Sequence, residues 1–245
     1  MQSEIKPYAY THSKNLHSYS SAELAYRIII ERIGVEPASV LDVGTGTAEW
    51  AKAAKSLGAN HVWGVDGIET SDAIETLGKG CFEVVDLRLP FDLKQTFELC
   101  ICLEVAEHLP DAASEVLIQS LTNHADTIAF SAAIPYQPGD HHINCQPPSY
   151  WQSKFNAMGF ACFDCLRDYL VPEEEIHWWY RQNIFLCRRD PDLAGSEPRI
   201  IHRVTPECLD EVVRLYRDHR STQQLAKSLA GSILRKLKRV SFIAR

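Results

Sequence analysis

The stretch Val40-Leu-Asp-Val-Gly44-Thr-Gly46-Thr47 limits this chain's fold more than any other. A short apolar run ends in two glycines and passes straight into a helical pattern over residues 47–57, stopped by Gly58. Glycine there lets the backbone turn sharply and approach a ligand closely. The helix start behind it offers unpaired N–H groups to an anionic or polar group, such as a carboxylate. A strand, tight turn and helix in that order begin a βαβ unit, and the rest of the chain repeats the theme.

Before the turn, Ser20-Ser21 open a helix over residues 22–33 that Gly34 stops. After it, strand patterns fall at 61–65, 81–85, 97–103 and 127–132, and helical patterns at 68–77 and 112–121. Strands alternating with helices of this length form a mainly parallel sheet. Beyond Pro135 the pattern changes to a long Pro- and Gly-bearing loop. A helix over 150–158 capped by Ser149 follows, then strands at 160–167 and 183–188 suited to an antiparallel edge pair. Residues 190–198 read as a polar linker, and 209–239 as helical with a break near 219–222. The expected division is a segment and helix over 1–37, an α/β domain over 38–189, and a linker with a helical tail over 190–245.

At 245 residues, 45% hydrophobic and 23% charged, the chain buries an ordinary core without staples. Its net charge of -7 argues against nucleic acid as the main partner. Cys100 and Cys102 alternate inside an apolar run and read as small buried hydrophobes. Cys162 and Cys165 form a C-x-x-C with no second pair to complete a zinc set, so no metal is expected. The N-terminus has no apolar signal core, and a reducing cytoplasm is the expected compartment.

Four acid-bearing features fall at the carboxyl ends of expected strands, where open α/β sheets bind ligands. Asp42 precedes the glycine turn, and Glu49 stands where the dinucleotide fingerprint has its third glycine. Both disfavour a pyrophosphate, and Asp42 suits a ligand with a positive centre. Asp66 ends the second strand, 24 residues after Asp42, near the interval at which an acid grips ribose hydroxyls. Asp86 ends the third strand, and Glu104-Val-Ala-Glu107-His108 follows the fourth.

In order and spacing, residues 38–188 resemble the class I S-adenosylmethionine-dependent methyltransferases, similar to those of bacterial glycan and secondary-metabolite clusters. The resemblance implies a Rossmann-like α/β fold: a seven-stranded, mostly parallel sheet flanked by helices, its last strand antiparallel, here with a C-terminal helical extension. It implies S-adenosylmethionine as cofactor. Asp42, Gly44 and Gly46 would line the methionine moiety, with Thr45 in the same turn. Asp66, with Gly67 beside it, would hold the ribose hydroxyls, and Asp86 the adenine amino group with Leu87 against the ring. Glu104 and His108 would sit on the loop that covers the cofactor and faces the acceptor. Ala48 departs from the family's third glycine.

A hydroxyl acceptor is a poor nucleophile at neutral pH and benefits from a general base. The loop Gly139-Asp-His141-His142-Ile-Asn144-Cys-Gln146-Pro-Pro-Ser-Tyr150-Trp151 follows the fifth strand, and histidine has the right pKa for that work. It resembles a G-H-(V/I)-N-x-Q-x-P-S-Y-W stretch of the same methyltransferases, in which His142 matches the histidine; His141 and His108 are the other candidates. Tyr150, Trp151, Trp178 and Trp179 offer aromatic faces to a sugar, or pack the sheet edge. The expected reaction is O-methylation of a small-molecule acceptor, a sugar or glycosylated metabolite. The rivals are N-methylation of an amino-sugar or small amine, and a catalytically silent cofactor-binding module. A nicotinamide oxidoreductase is disfavoured by Glu49. Residues 222–240 form a basic amphipathic pattern that suits peripheral membrane contact or packing on the domain or a second subunit of a homodimer.

Overall fold

The computed structural model describes residues 18–219. Two compact units divide the chain, one ending at Arg203 and one beginning at Val204. In the first, the strands are β1 (Ser39–Val43), β2 (His61–Asp66), β3 (Phe82–Val84), β4 (Leu99–Leu103), β5 (Thr127–Ser131), β6 (Phe160–Phe163) and β7 (Phe185–Arg189). Between and around them lie α1 (Tyr19–Ile33), α2 (Glu49–Ser56), α3 (Ser71–Leu77), α4 (Ser114–His124), α5 (Pro148–Ala157), α6 (Arg167–Leu170) and α7 (Trp178–Asn183). The second unit contributes α8 (Pro206–His219). The rest of the basic tail, with its 222–240 pattern, lies outside the described residues.

The seven strands form one sheet in the order β3-β2-β1-β4-β5-β7-β6. All pairs from β3 to β5 are parallel, and β7 runs antiparallel to both β5 and β6. This is the expected mostly parallel sheet with its last strand reversed. Helices cover both faces, so the central strands are mostly apolar and serve a buried core on either side, with Asp42 the charged exception on β1. Along β4, Leu99, Ile101 and Leu103 join the core under α1 and α2. Cys100 and Cys102 join the opposite core with Leu117, Leu121, Trp151 and Phe155. Cys162 faces Cys187 across the β6–β7 pair, Sγ to Sγ 3.0 Å, and all eight cysteines are free thiols.

Several boundaries differ from expectation for local reasons. Helix α1 starts earlier because Ser18, not Ser20 or Ser21, accepts the N–H of Ser21 as the cap. Helix α3 starts at Ser71 because Thr70 Oγ1 caps it at Ala73 N–H. Pro148 occupies the first turn of α5, where its missing N–H costs nothing, so Ser149 is not the cap. Strand β6 ends at Phe163 because Asp164 turns to pair with the buried guanidinium of Arg167, which opens α6. The stretch read as a linker is pinned to the sheet: buried Glu197 accepts from Gln152, Asn156 and the N–H of Cys162. Among the described residues no helix is long and apolar enough to cross a membrane.

Candidate active site at the carboxyl ends of the strands

The glycine turn is stitched to the end of β2. The N–H groups of Gly44 and Thr45 both donate to Val65 O, at 2.8 and 3.1 Å, and Thr45 Oγ1 donates to Asp42 O at 2.8 Å. Gly44 has φ 77° and Gly46 φ 55°. A Cβ on Gly44 would lie 2.3 Å from Val105 Cγ2, so only glycine lets the loop after β4 pack against this turn. Ala48, at the family's third-glycine position, also has φ 65° and is fully buried. The backbone there keeps the glycine conformation and tolerates a methyl group at some cost. Ala48→Gly is therefore expected to raise stability by ~1 kcal/mol, read by urea unfolding.

Of the five non-glycine residues with positive φ among those described, four lie on loops at this edge of the sheet: Ala48, Glu104, Tyr136 and His141. Strain of that kind survives only where the surroundings impose it, and it gathers at functional sites.

Two acids flank the turn. Asp42 is buried, and its Oδ2 has no hydrogen-bond partner. Burial and the nearby Asp66 carboxylate push its pKa up to about 7. Asp66, 7% exposed, faces the glycine turn. Its Oδ2 accepts the N–H of Gly46 at 2.9 Å and its Oδ1 that of Ile68 at 3.0 Å. A carboxylate has about four acceptor positions, so it can serve several donors at once. Gly67 beside it is exposed.

Asp86 sits farther out. The Arg88 guanidinium grips it through two bonds, 2.8 and 2.7 Å, and holds its pKa below the usual carboxylate range. Leu87 is buried in the core beside Val85.

The loops after β4 and β5 bring the remaining candidates together. The backbone carbonyl of Glu107 accepts the N–H groups of Ile143 and Asn144, at 2.9 and 3.0 Å, which fastens one loop to the other. His108 and His142 then meet edge to face, with ring centroids 5.1 Å apart. His108 Nδ1 donates to His141 O at 3.3 Å, and His142 Nδ1 donates to Gln137 O at 3.2 Å. Each bond leaves Nε2 as the ring's lone-pair nitrogen. Desolvation lowers both pKa values, that of His108 to about 4, so both rings are neutral at pH 7. Of the three histidine candidates the fold brings His108 and His142 together, and uses the backbone of His141 to orient His108.

Glu104 and Glu107, which the sequence did not single out as a pair, lie against one another, with Glu107 close to both rings. Glu104 accepts from Gln137 Nε2 at 3.1 Å and from Asn183 Nδ2 at 3.0 Å. Burial raises its pKa despite those bonds. Glu107 is fully buried; burial and the Glu104 charge raise its pKa strongly. Gln137 and Asn183 were also missed. Their amides reach the site only through the loop after β5 and the end of α7, and no local spacing signals that.

A parallel sheet in this order, reversed at its seventh strand and bearing a glycine turn after β1 with acids at the next strand ends, defines the class I methyltransferase architecture. Residues 20–182 match the family model described as a methyltransferase domain. The chain belongs to that family, and its cofactor is S-adenosylmethionine. A ribosomal protein L11 methyltransferase from Lactobacillus johnsonii is 38% identical over 102 residues, which make up 40% of this chain and 31% of that protein. The chain thus spans about a third of the length of this curated relative. Among solved structures, DesVI of Streptomyces venezuelae is similar at 12% identity and a TM-score of 0.51, over 69% of this chain and 91% of that one. CalS10, an amino pentose methyltransferase from Micromonospora echinaspora, is similar at 15% identity and a TM-score of 0.49, over 71% and 92%. The residues fit the cofactor: a buried, unpartnered carboxylate oxygen on Asp42 lies at a turn whose backbone permits close approach.

Proposed function

We propose that this chain methylates a hydroxyl of a small acceptor, a sugar or a glycosylated metabolite, at the loops after β4 and β5. The observation that carries the reading is the pair of neutral imidazoles, His108 and His142, each anchored through Nδ1 so that Nε2 is left as the acceptor nitrogen. When bound, S-adenosylmethionine supplies a methyl group on a positively charged sulfur, already activated for in-line displacement. Asp42 favours the positive end of that ligand. Asp66 accepts from the ribose hydroxyls, and Asp86 accepts from the adenine amino group with Leu87 beneath the ring. Glu104 and His108 border the acceptor. The hydroxyl proton passes to the histidine cluster, with His142 the favoured group. Tyr136, 92% exposed on the loop after β5, and Tyr150 offer aromatic faces to a sugar ring.

A second reading, N-methylation of an amino-sugar, draws support from two carboxylates, half-buried Glu104 and buried Glu107, that pair with no lysine or arginine among the described residues. An amine needs only to arrive deprotonated, so the two readings respond differently to loss of the histidine. The test is production of S-adenosylhomocysteine from panels of hydroxylated and amino-sugar acceptors, with wild type and His142→Ala. On the hydroxyl reading the variant loses ~100-fold or more in turnover while binding S-adenosylhomocysteine normally. Turnover of amino-sugars alone, little changed in the variant, would replace it with the amine reading. Tight cofactor binding without product from any acceptor would favour a silent module.

A further inference from the structure

Glu107 is buried beside a second carboxylate, and no lysine or arginine among the described residues pairs with it. It is 0% exposed, and neither carboxylate oxygen has a hydrogen-bond partner. A buried carboxylate without a partner is among the costliest groups a fold can hold. Glu104 beside it receives neutral amides from Gln137 and Asn183, which satisfy oxygens but cancel no charge. Glu104 lies against Glu107, and two imidazoles stand close enough to share a ligand with it. Donor atoms of Glu107, His108 and His142 all lie within 4.8 Å of one another, with His142 Nε2 4.0 Å from Glu107 Oε1. Donors that share an ion at ~2.1 Å are themselves ~3–4 Å apart, so a shift of about 1 Å closes the set.

The support around these side chains is that of a ligand shell. Both rings are oriented by Nδ1–H bonds to backbone carbonyls, the outer-shell arrangement that fixes a metal-binding histidine. The His142 ring packs against Gly139, where a Cβ would come 2.0 Å from Nε2. The Glu107 carbonyl, bound by Ile143 and Asn144, holds the two loops in register.

We propose that Glu107, His108 and His142, with Glu104 as the adjoining carboxylate, bind one divalent cation at the acceptor side of the cofactor. Two carboxylates neutralise its charge, and the mixed oxygen and imidazole donors suit Mn2+, Fe2+ or Zn2+. The proposal departs from the sequence expectation of no metal, because the donors come from two loops that only the fold brings together. Its role rests on the methyltransferase reading: the cation takes the acceptor hydroxyl as a ligand and acidifies it, as metals acidify bound water. The O–H bond then breaks with its proton passing to water. The oxygen lone pair forms the O–C bond while the C–S bond breaks and its pair stays on sulfur. His142 serves here as a ligand rather than as a free base, so the loss expected for His142→Ala holds on either account.

The test is titration of the full chain with Mn2+, followed by the electron paramagnetic resonance signal of the unbound ion. Thiols bind Mn2+ poorly, which keeps nearby Cys145 out of the readout. S-adenosylhomocysteine binding is measured calorimetrically on the same samples. One Mn2+ per chain is expected, with affinity reduced more than ~10-fold in both Glu107→Gln and His142→Ala. Glu107→Gln keeps shape and removes the carboxylate, and a thermal melt of each variant reports folding. No Mn2+ binding by wild type, or equal binding by folded Glu107→Gln, overturns the cation site. Mn2+ bound without S-adenosylhomocysteine supports the cation site and overturns only the methyltransferase reading.

Discussion

Asp66→Ala is expected to weaken S-adenosylhomocysteine binding by at least ~100-fold in a calorimetric titration. On the proposed reading the carboxylate accepts both ribose hydroxyls, and each charge-assisted bond contributes ~1.5–3 kcal/mol. Neutral side chains cannot take two protons at once as well. The structure adds a second reason for a large loss. The same carboxylate accepts the N–H groups of Gly46 and Ile68, so it also holds the glycine turn and the start of the α3 approach in place. Asp66→Asn separates the two contributions, because it keeps one acceptor oxygen for the backbone and loses the charge. Intermediate affinity in Asn and near-complete loss in Ala is the expected order. Affinity within threefold of wild type in Asp66→Ala would remove this residue from the cofactor site.

The second large effect is on stability and its pH dependence, at Asp42. Its folded pKa of about 7 lies far above the ~3.9 of an unfolded aspartate. Between those values the folded state holds a proton that the unfolded chain has released. Stability therefore falls as pH rises through that window, and the full penalty is present above about pH 7. At ~1.4 kcal/mol per unit the penalty is at most ~4 kcal/mol. Asparagine cannot ionise and mimics the protonated acid in shape. Asp42→Asn should match wild type near pH 4 and exceed it by up to ~4 kcal/mol near pH 8, in urea unfolding without cofactor.

The groups whose fields meet at Asp42 are Asp66 on β2, Cys100 and Cys102 on β4, and Tyr180 on α7, and none of them supplies a positive charge. Binding is expected to move the other way: the variant loses affinity for the positively charged cofactor. A fold that keeps an acid at such a cost is trading stability for a ligand. Equal pH slopes for the two proteins would show that Asp42 is ionised and compensated in the free chain.

Much of the architecture was legible because it is written in short windows. The glycine turn follows from two positive-φ positions, and the alternation of strands and helices from periodicities of two and 3.6. Cys100 and Cys102 read correctly as core residues because alternation along β4 sends each to a buried face. The caps were less legible: Ser18, Ser20 and Ser21 are chemically equivalent starts for α1, and packing of the helix chose among them. The Asp190 to Pro198 stretch read as a polar linker, yet three donors from α5 and β6 make the burial of Glu197 favourable.

Sequence alone determined the sheet's turn, the run of acids at strand ends and the histidine-bearing loop, since each depends on residues within a few positions of one another. Only the tertiary structure decided that Asp66 faces the glycine turn, that Asp86 is held by Arg88, and that the donor atoms of Glu107, His108 and His142 cluster together. Those outcomes depend on which loops pack together across the sheet, and the balance of burial against charge at such a junction has no signature in any single stretch of chain.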